Sequence, residues 1–468
     1  MAHRDVLWLD AVDQGGLIRS GELTAKELVD LSIEAIAQHN PALNAIVYER
    51  FDRAREEAAA LGDGGGPLAG VPMVVKDLRL RMAGDPAYAG STALRDAGVR
   101  AGADDALAAR MRRAGLVVVG RGASSEFGVG VSTASRAFGI TRNPWGERLS
   151  PGGSSGGSAV SVAAGFVAMA HGEDLGGSIR NPAAACGIVG LKPSRGLVGT
   201  GPTHGSGPGG MWTSGPMARS VRDVAALLDV MSGADTFLDG LDAGDARPLR
   251  VGLCSGGFDD EIAVDPRCTE TVELAGRLLA QAGHHVEHGF PAQLKAIKAF
   301  HGQVMPVLAG GLAAELATVE KELGRAIEPG ELEPTSAMFR QRAGVMSATE
   351  LACALDWLET FGHHVLGWWA DGHDLLVTPT VPRAAVPLDW FAEPRSAMDR
   401  TIDQLHFTAV FNATGQPALS LPLGVTDAGH PVGVQLVAAP GRDALLLRVA
   451  AQLERALPWR ERIPAVHA

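Results

Sequence analysis

The sequence predicts an α/β protein, a central sheet covered by helices, and three observations carry that expectation. Short apolar runs, VPMVV (71–75), LVVVG (116–120), GIVGL (187–191) and LRVGLC (249–254), alternate with stretches of helical periodicity, the pattern of strands covered by helices. The pattern returns with DLLVTPT (374–380), ALSLPLG (418–424) and VGVQLVA (432–438), followed by a helix over 443–457. Between these halves, 290–370 is helical and tryptophan-rich at its close (Trp357, Trp368, Trp369), and it reads as a helical insertion over the sheet, where substrate pockets often form.

Taken in order, residues 1–67 read as an N-terminal helical arm. Thr24 and Glu27 form a capping box, and Leu23 and Leu28 sit where a hydrophobic staple would, so a helix is expected over 24–40. The strand-and-helix core follows over 68–250, the insertion over 290–370, and the strands and helix that rejoin the sheet over 371–468. A length of 468 residues by itself permits one large unit or several domains. No internal repeat is evident.

Composition excludes several functions. A net charge of −12 repels phosphate backbones, so no nucleic-acid partner is expected. No run of about 18 apolar residues suggests a membrane span, and the first residues lack a signal-peptide pattern; a cytoplasmic protein is expected. The four cysteines lack CxxC spacing and read as buried free thiols. His284, His285 and His288 follow Gly283 and read as a solvated loop, and the adjacent His363 and His364 do not share a helical face. No metal site is expected.

Two glycine-rich blocks, GGSSGG (152–157) and GTGPTHGSGPGG (199–210), lack the GK[ST] of a phosphate loop. The second reads as a mobile surface loop. The first runs into a small-residue helix, placing Ser154 just ahead of a helix N-terminus. Lysine is scarce, six in all, and Lys76 follows the strand VPMVV. Apolar surroundings lower a lysine pKa by disfavouring the charged form, which would make Lys76 a usable base. In GEDLGGSIRNP (172–182), two glycines precede Ser178, and without Cβ atoms they let the backbone turn sharply toward a ligand.

A lysine on a strand, a serine in GGSSGG and a serine in GGS together resemble the amidase signature family. The likeness runs through GVPMVVKD (70–77), GGSSGGS (152–158), GEDLGGSIRNPAAACGIVGLKPSRG (172–196), GPMARSVRD (215–223) and FNATGQPALSLPLG (411–424). It implies the amidase-signature fold, a mixed twisted sheet with helices on both faces, as a single domain over 1–468. It also implies a small-molecule amide as substrate, no cofactor, and a Ser-Ser-Lys triad: Lys76 as base, Ser154 as bridge and Ser178 as nucleophile, the two serines 24 residues apart. The backbone N–H groups of Leu175, Gly176, Gly177 and Ser178 would form the oxyanion hole. Ser155, Asp174 and Arg180 would be scaffold, and Gly128, Val129, Phe411 and Asn412 would shape the substrate pocket. The family often has Thr or Ser where Glu173 stands here.

Stretches such as TRNPW (141–145), AHGED (170–174) and GHDLLVTPT (372–380) look most like the branch of 6-aminohexanoate cyclic-dimer hydrolases. The arm could serve a homodimer. Two alternatives compete with an amide hydrolase. A glutaminase subunit of a tRNA-dependent amidotransferase should carry an arginine for the glutamine carboxylate, with Arg325, Arg340 and Arg342 as candidates. A catalytically silent scaffold would have no need of Lys76, Ser154 and Ser178 together.

Overall fold

The computed structural model describes residues 3–468 except 63–64, 200–204, 245–246 and 392–395, with 3–5 described by backbone alone. The arm is formed by helices His3–Trp8, Ala11–Ser20 and Ala25–Leu43. The third begins at the expected capping box: the Thr24 side chain accepts from the Glu27 N–H, and the Thr24 N–H donates to Glu27 Oε2 at 2.8 Å. It ends at Asn44, a left-handed C-cap.

The strands are β1 (Ile46–Glu49), β2 (Pro72–Lys76), β3 (Val117–Gly122), the small hairpin β4 (Ala134–Ser135) and β5 (Gly139–Ile140), β6 (Met169–Asp174), β7 (Val189–Lys192), β8 (Thr213–Ala218), β9 (Arg250–Leu253), β10 (His285–His288), β11 (Leu375–Pro379), β12 (Ala418–Val425) and β13 (Pro431–Val437). Eleven of them form one mixed sheet in the order β1-β3-β2-β6-β8-β7-β12-β13-β11-β9-β10. The terminal strands β12 and β13 thus lie inside the sheet, beside β7.

Side-chain alternation explains why both faces are covered. Met73 and Val75 of β2 join a core with Val224, Leu227, Leu446 and Val449 from helices Val221–Ser232 and Asp443–Ala456. Val74, between them, points the other way, into a core with Leu28 and Ile36 of the arm and Val160 of helix Gly156–Ala163. On that second face the C-terminal half of the sheet is covered instead by helices Ile297–Leu323 and Ala348–Ala370, whose Phe300, Leu358 and Val365 meet Leu376 and Val437.

Four sequence readings change here. The segment 292–323 reaches a mean hydropathy of 1.3 over an 18-residue window; Lys, His and Glu residues within it hide this from a search for an unbroken apolar run, and its helix packs against Pro334–Val345 and Ala348–Ala370. The histidines at 285 and 288 belong to an edge strand, not a loop: β10 pairs in parallel with β9, and the half-buried Val286 packs on the core while its neighbours face out. Of the second glycine-rich block, 200–204 lie outside the described residues, while Pro208–Gly210 form a short turn at the cavity described below. Cys186, Cys254 and Cys268 are buried free thiols, and Cys353 is exposed.

Candidate active site

Lys76 is the last residue of β2 and Asp174 the last of β6, parallel neighbours whose C-terminal ends open on the same crevice. Lys76 is 1% exposed, and its Nζ donates to Ser154 Oγ at 2.7 Å and to the Glu173 carbonyl at 3.3 Å. Burial drives its pKa down from the ordinary 10.5, against the pull of the Glu173 and Asp174 carboxylates. Ser154 is held by the loop that enters helix Gly156–Ala163, and this helix lies against β3: a Cβ on Gly157 would fall 2.0 Å from the Ala123 nitrogen. Only glycine permits that approach. Ser155 braces the loop, donating from Oγ to the Glu173 carbonyl at 3.2 Å and from N–H to the Ser178 carbonyl at 3.2 Å.

Ser178 sits on the turn after β6, 8% exposed, at the wall of an apolar cavity. Gly177 takes φ +138°, and a Cβ there would meet Thr408 Oγ1 at 2.4 Å; at Gly176 a Cβ would have 3.7 Å of room. The second glycine of the pair is therefore the one the turn requires. The turn is pinned by Asp174, which accepts from the N–H groups of Gly177 (2.7 Å) and Ile179 (3.1 Å) and from Arg180 Nη2 (2.9 Å). Arg180 is fully buried and spends its remaining donors on Thr408, Asn412 and Gln435. The guanidinium holds the Asp174 carboxyl well below the ordinary 3.8 despite its burial, which alone would raise it.

This network corrects one expected role. The Gly177 N–H already donates to Asp174, whereas those of Leu175, Gly176 and Ser178 donate to no group among the described residues. The latter three remain unspent donors beside Ser178. No hydrogen bond joins Ser154 to the Ser178 hydroxyl; the two segments meet through the Ser155 N–H.

A cleft opens on Ser178. Of the expected pocket residues Gly128 and Val129 line it, and Phe411 and Asn412 do not; Leu175 and Gly176 line it as well. Phe411 is wholly buried in the core beneath the insertion, and Asn412 turns inward, its Nδ2 donating to Asp174 Oδ1 at 2.9 Å. They face the scaffold because the short helix Ala409–Ala413 presents them to the sheet side. The walls are mainly apolar, from Phe127, Trp212, Met305, Leu308 and Phe339 among others, and they carry one ion pair, Arg79 to Glu315 at 2.5 Å, with the guanidinium stacked 3.9 Å from the Trp212 ring centre. His301 also lines the cleft, and burial pushes its pKa down to about 4, leaving a neutral ring.

Sequence reasoning missed Arg79, Glu315, Thr408 and Gln435. Two left a trace: Arg79 follows Lys76 by three residues in KDLR, and Gln435 interrupts the otherwise apolar strand VGVQLVA. Among the described residues no group of His, Cys, Asp and Glu is arranged to hold a metal ion.

A mixed sheet with helices on both faces and a ligand-sized cleft beside the ends of two parallel strands is the architecture of an α/β enzyme. Residues 27–447 match the Amidase family model, and the chain belongs to the amidase family. It is 38% identical over 481 residues to the 6-aminohexanoate-cyclic-dimer hydrolase of Pseudomonas sp. (strain NK87), covering 98% of this chain and 97% of that relative. The solved structure of 6-aminohexanoate cyclic dimer hydrolase complexed with substrate superposes with a TM-score of 0.94 at 37% identity, over 99% of this chain and 100% of that one. A bacterial aryl acylamidase of the amidase signature family follows with a TM-score of 0.90 at 29% identity, over 98% and 99%. The protein is an amide hydrolase.

Proposed function

We propose that hydrolysis runs through an acyl-enzyme on Ser178, and the observation that carries this reading is the buried 2.7 Å contact between Lys76 Nζ and Ser154 Oγ beside that serine. With the amine neutral, Ser154 donates its proton to Nζ and takes one from Ser178, whose oxygen attacks the carbonyl. The Ser154–Ser178 contact closes as the substrate carbonyl settles into the hole, since catalytic hydrogen bonds commonly tighten in the Michaelis complex. The N–H groups of Leu175, Gly176 and Ser178 receive the oxyanion, each donor contributing about 10²–10³ in rate. The protonated relay then delivers a proton to the departing amine, and water reverses the sequence.

The whole chain acts as one catalytic unit in this reading, and 290–370 selects the substrate, because helices Ile297–Leu323 and Pro334–Val345 supply much of the cleft wall. An apolar cleft whose one ion pair is internally neutralised favours an uncharged amide with a hydrocarbon body, linear or cyclic. The glutaminase alternative loses its candidates: Arg325, Arg340 and Arg342 pair with Glu331, Glu320 and Glu350, and none lines the cleft.

Labelling with a fluorophosphonate followed by peptide mass spectrometry tests the assignment. The adduct is expected on Ser178, and Ser178→Ala should fold normally while losing both labelling and amide turnover. An adduct on Ser154 or on a cysteine, with Ser178 unmodified, would sink it.

A further inference from the structure

Lys76 does not stand alone in the sheet. The Glu173 carbonyl receives its Nζ, yet the Glu173 side chain belongs with the other face: Met169, two turns of the pleat earlier on β6, packs into the core of the Val221–Ser232 helix, and alternation sends His171 and Glu173 the same way. The Glu173 side chain is 2% exposed in its residue, one carboxyl oxygen accepts a long 3.3 Å bond from the Leu80 N–H, and the other has no hydrogen-bond partner. No ion pair forms between Glu173 and Lys76. A buried carboxyl so poorly bonded is costly as a scaffold, which leaves its charge as the property that matters.

We propose that Glu173 is a positioning residue that sets the proton occupancy of Lys76 through the width of a single strand. The inference rests on Lys76 being the base. An anionic Glu173 favours the ammonium form of Lys76 and therefore raises the pH at which the neutral amine appears. Burial acts oppositely on both groups, lowering the lysine and raising the carboxyl, so that their titrations approach one another. The other charges facing the pair are Asp77, Arg79, Asp105, Arg121, Asp174 with its partner Arg180, and Glu315, while His171 is held neutral by burial. Arg79 and Glu173 line one small inner cavity with Trp212 and Ser214, and Arg79 pairs with Glu315 at the substrate cleft. The carboxyl is thereby linked to the cleft through one ion pair.

The test is the pH dependence of kcat/KM for one amide, measured on wild type, Glu173→Gln and Glu173→Asp. Gln removes the charge, and the acid limb should move to lower pH by roughly one unit, as expected for losing a nearby opposite charge; Asp keeps the charge and should hold the limb near its wild-type place. Stoichiometric labelling of Ser178 verifies that each variant is folded, and Glu173→Thr serves in place of Gln if that variant fails to fold. A purely structural role would lower the rate in every variant with the midpoint unmoved, and that result overturns the proposal. Lys76→Ala separates the two readings: if it retains the wild-type limb, the base assignment itself fails, whereas an inactive Lys76→Ala beside an unmoved Glu173→Gln limb refutes only the role of Glu173.

Discussion

Glu173 and Asp174 are consecutive carboxylates at the end of one strand, both buried, and their surroundings differ in every other respect. Asp174 is saturated: three backbone N–H groups, the Arg180 fork and the Asn412 amide converge on it. Glu173 has one weak backbone partner and an unbonded oxygen. Near Glu173, Arg121 and His171 also keep ring or guanidinium nitrogens without partners. The contrast teaches how one sheet can serve two needs. Full hydrogen bonding fixes a charge and with it the geometry of the Ser178 turn; incomplete bonding leaves a charge free to change with pH, which would suit Lys76 in the proposed role of base.

The largest effect that sharpens this contrast is Lys76→Ala. Removing the base on the loosely bonded side should cut amide kcat/KM by about 10²–10⁴-fold, with a smaller loss on an activated ester, whose leaving group needs less proton assistance; steady-state rates on the two substrates measure the gap. Thermal stability should change little by comparison.

Breaking the saturated side should do the reverse. Arg180→Leu strands the Asp174 charge in the interior, at a cost of about 3–5 kcal/mol, read by urea unfolding at neutral pH. The sign with pH follows from the lowered Asp174 pKa: the stability it contributes is present above its ordinary 3.8 and is lost as pH falls below that value. The variant should therefore differ most from wild type at neutral pH, and the difference should shrink in strong acid. Equal stability at pH 7 would mean that the network is ornamental.

The smallest effect is a control distant from both carboxylates. Met305→Ala, on the insertion side of the cleft, should alter the preference between two neutral amides by about 1–3 kcal/mol in kcat/KM. Turnover of a small activated ester, and the pH midpoint, should stay where they are in wild type.

What the sequence disclosed and what it withheld follow the range of the interactions. Lys76, Ser154 and Ser178 stand in short local patterns, a strand end and two glycine-flanked turns, so their positions were readable one by one. The central sheet covered by helices was likewise legible from short apolar runs such as VPMVV set between helical stretches, while the helices on both faces came with the family resemblance. The Arg180 network was only half legible, because its partners Asn412 and Gln435 lie 232 and 255 residues away; Asn412 was noticed, but its direction depends on a short helix whose packing no local pattern encodes. The strand β10 escaped notice for a different reason: four residues with one half-buried side chain carry too little alternation to register.

The long reach of Arg180 has a consequence for biosynthesis. The loop that carries Ser178 leaves the ribosome 255 residues before Gln435 does, an interval of roughly 13–50 s at 5–20 residues per second. Over most of it, Arg180 and Asp174 have each other but lack Thr408, Asn412 and Gln435, and β7 lacks the neighbour β12 that later fills the middle of the sheet. The nascent chain is therefore a long, unfinished sheet whose Ser178 turn is only partly braced, and its last braces arrive when β12 and β13 insert. Chains cut short before residue 435 are the direct probe of that timing.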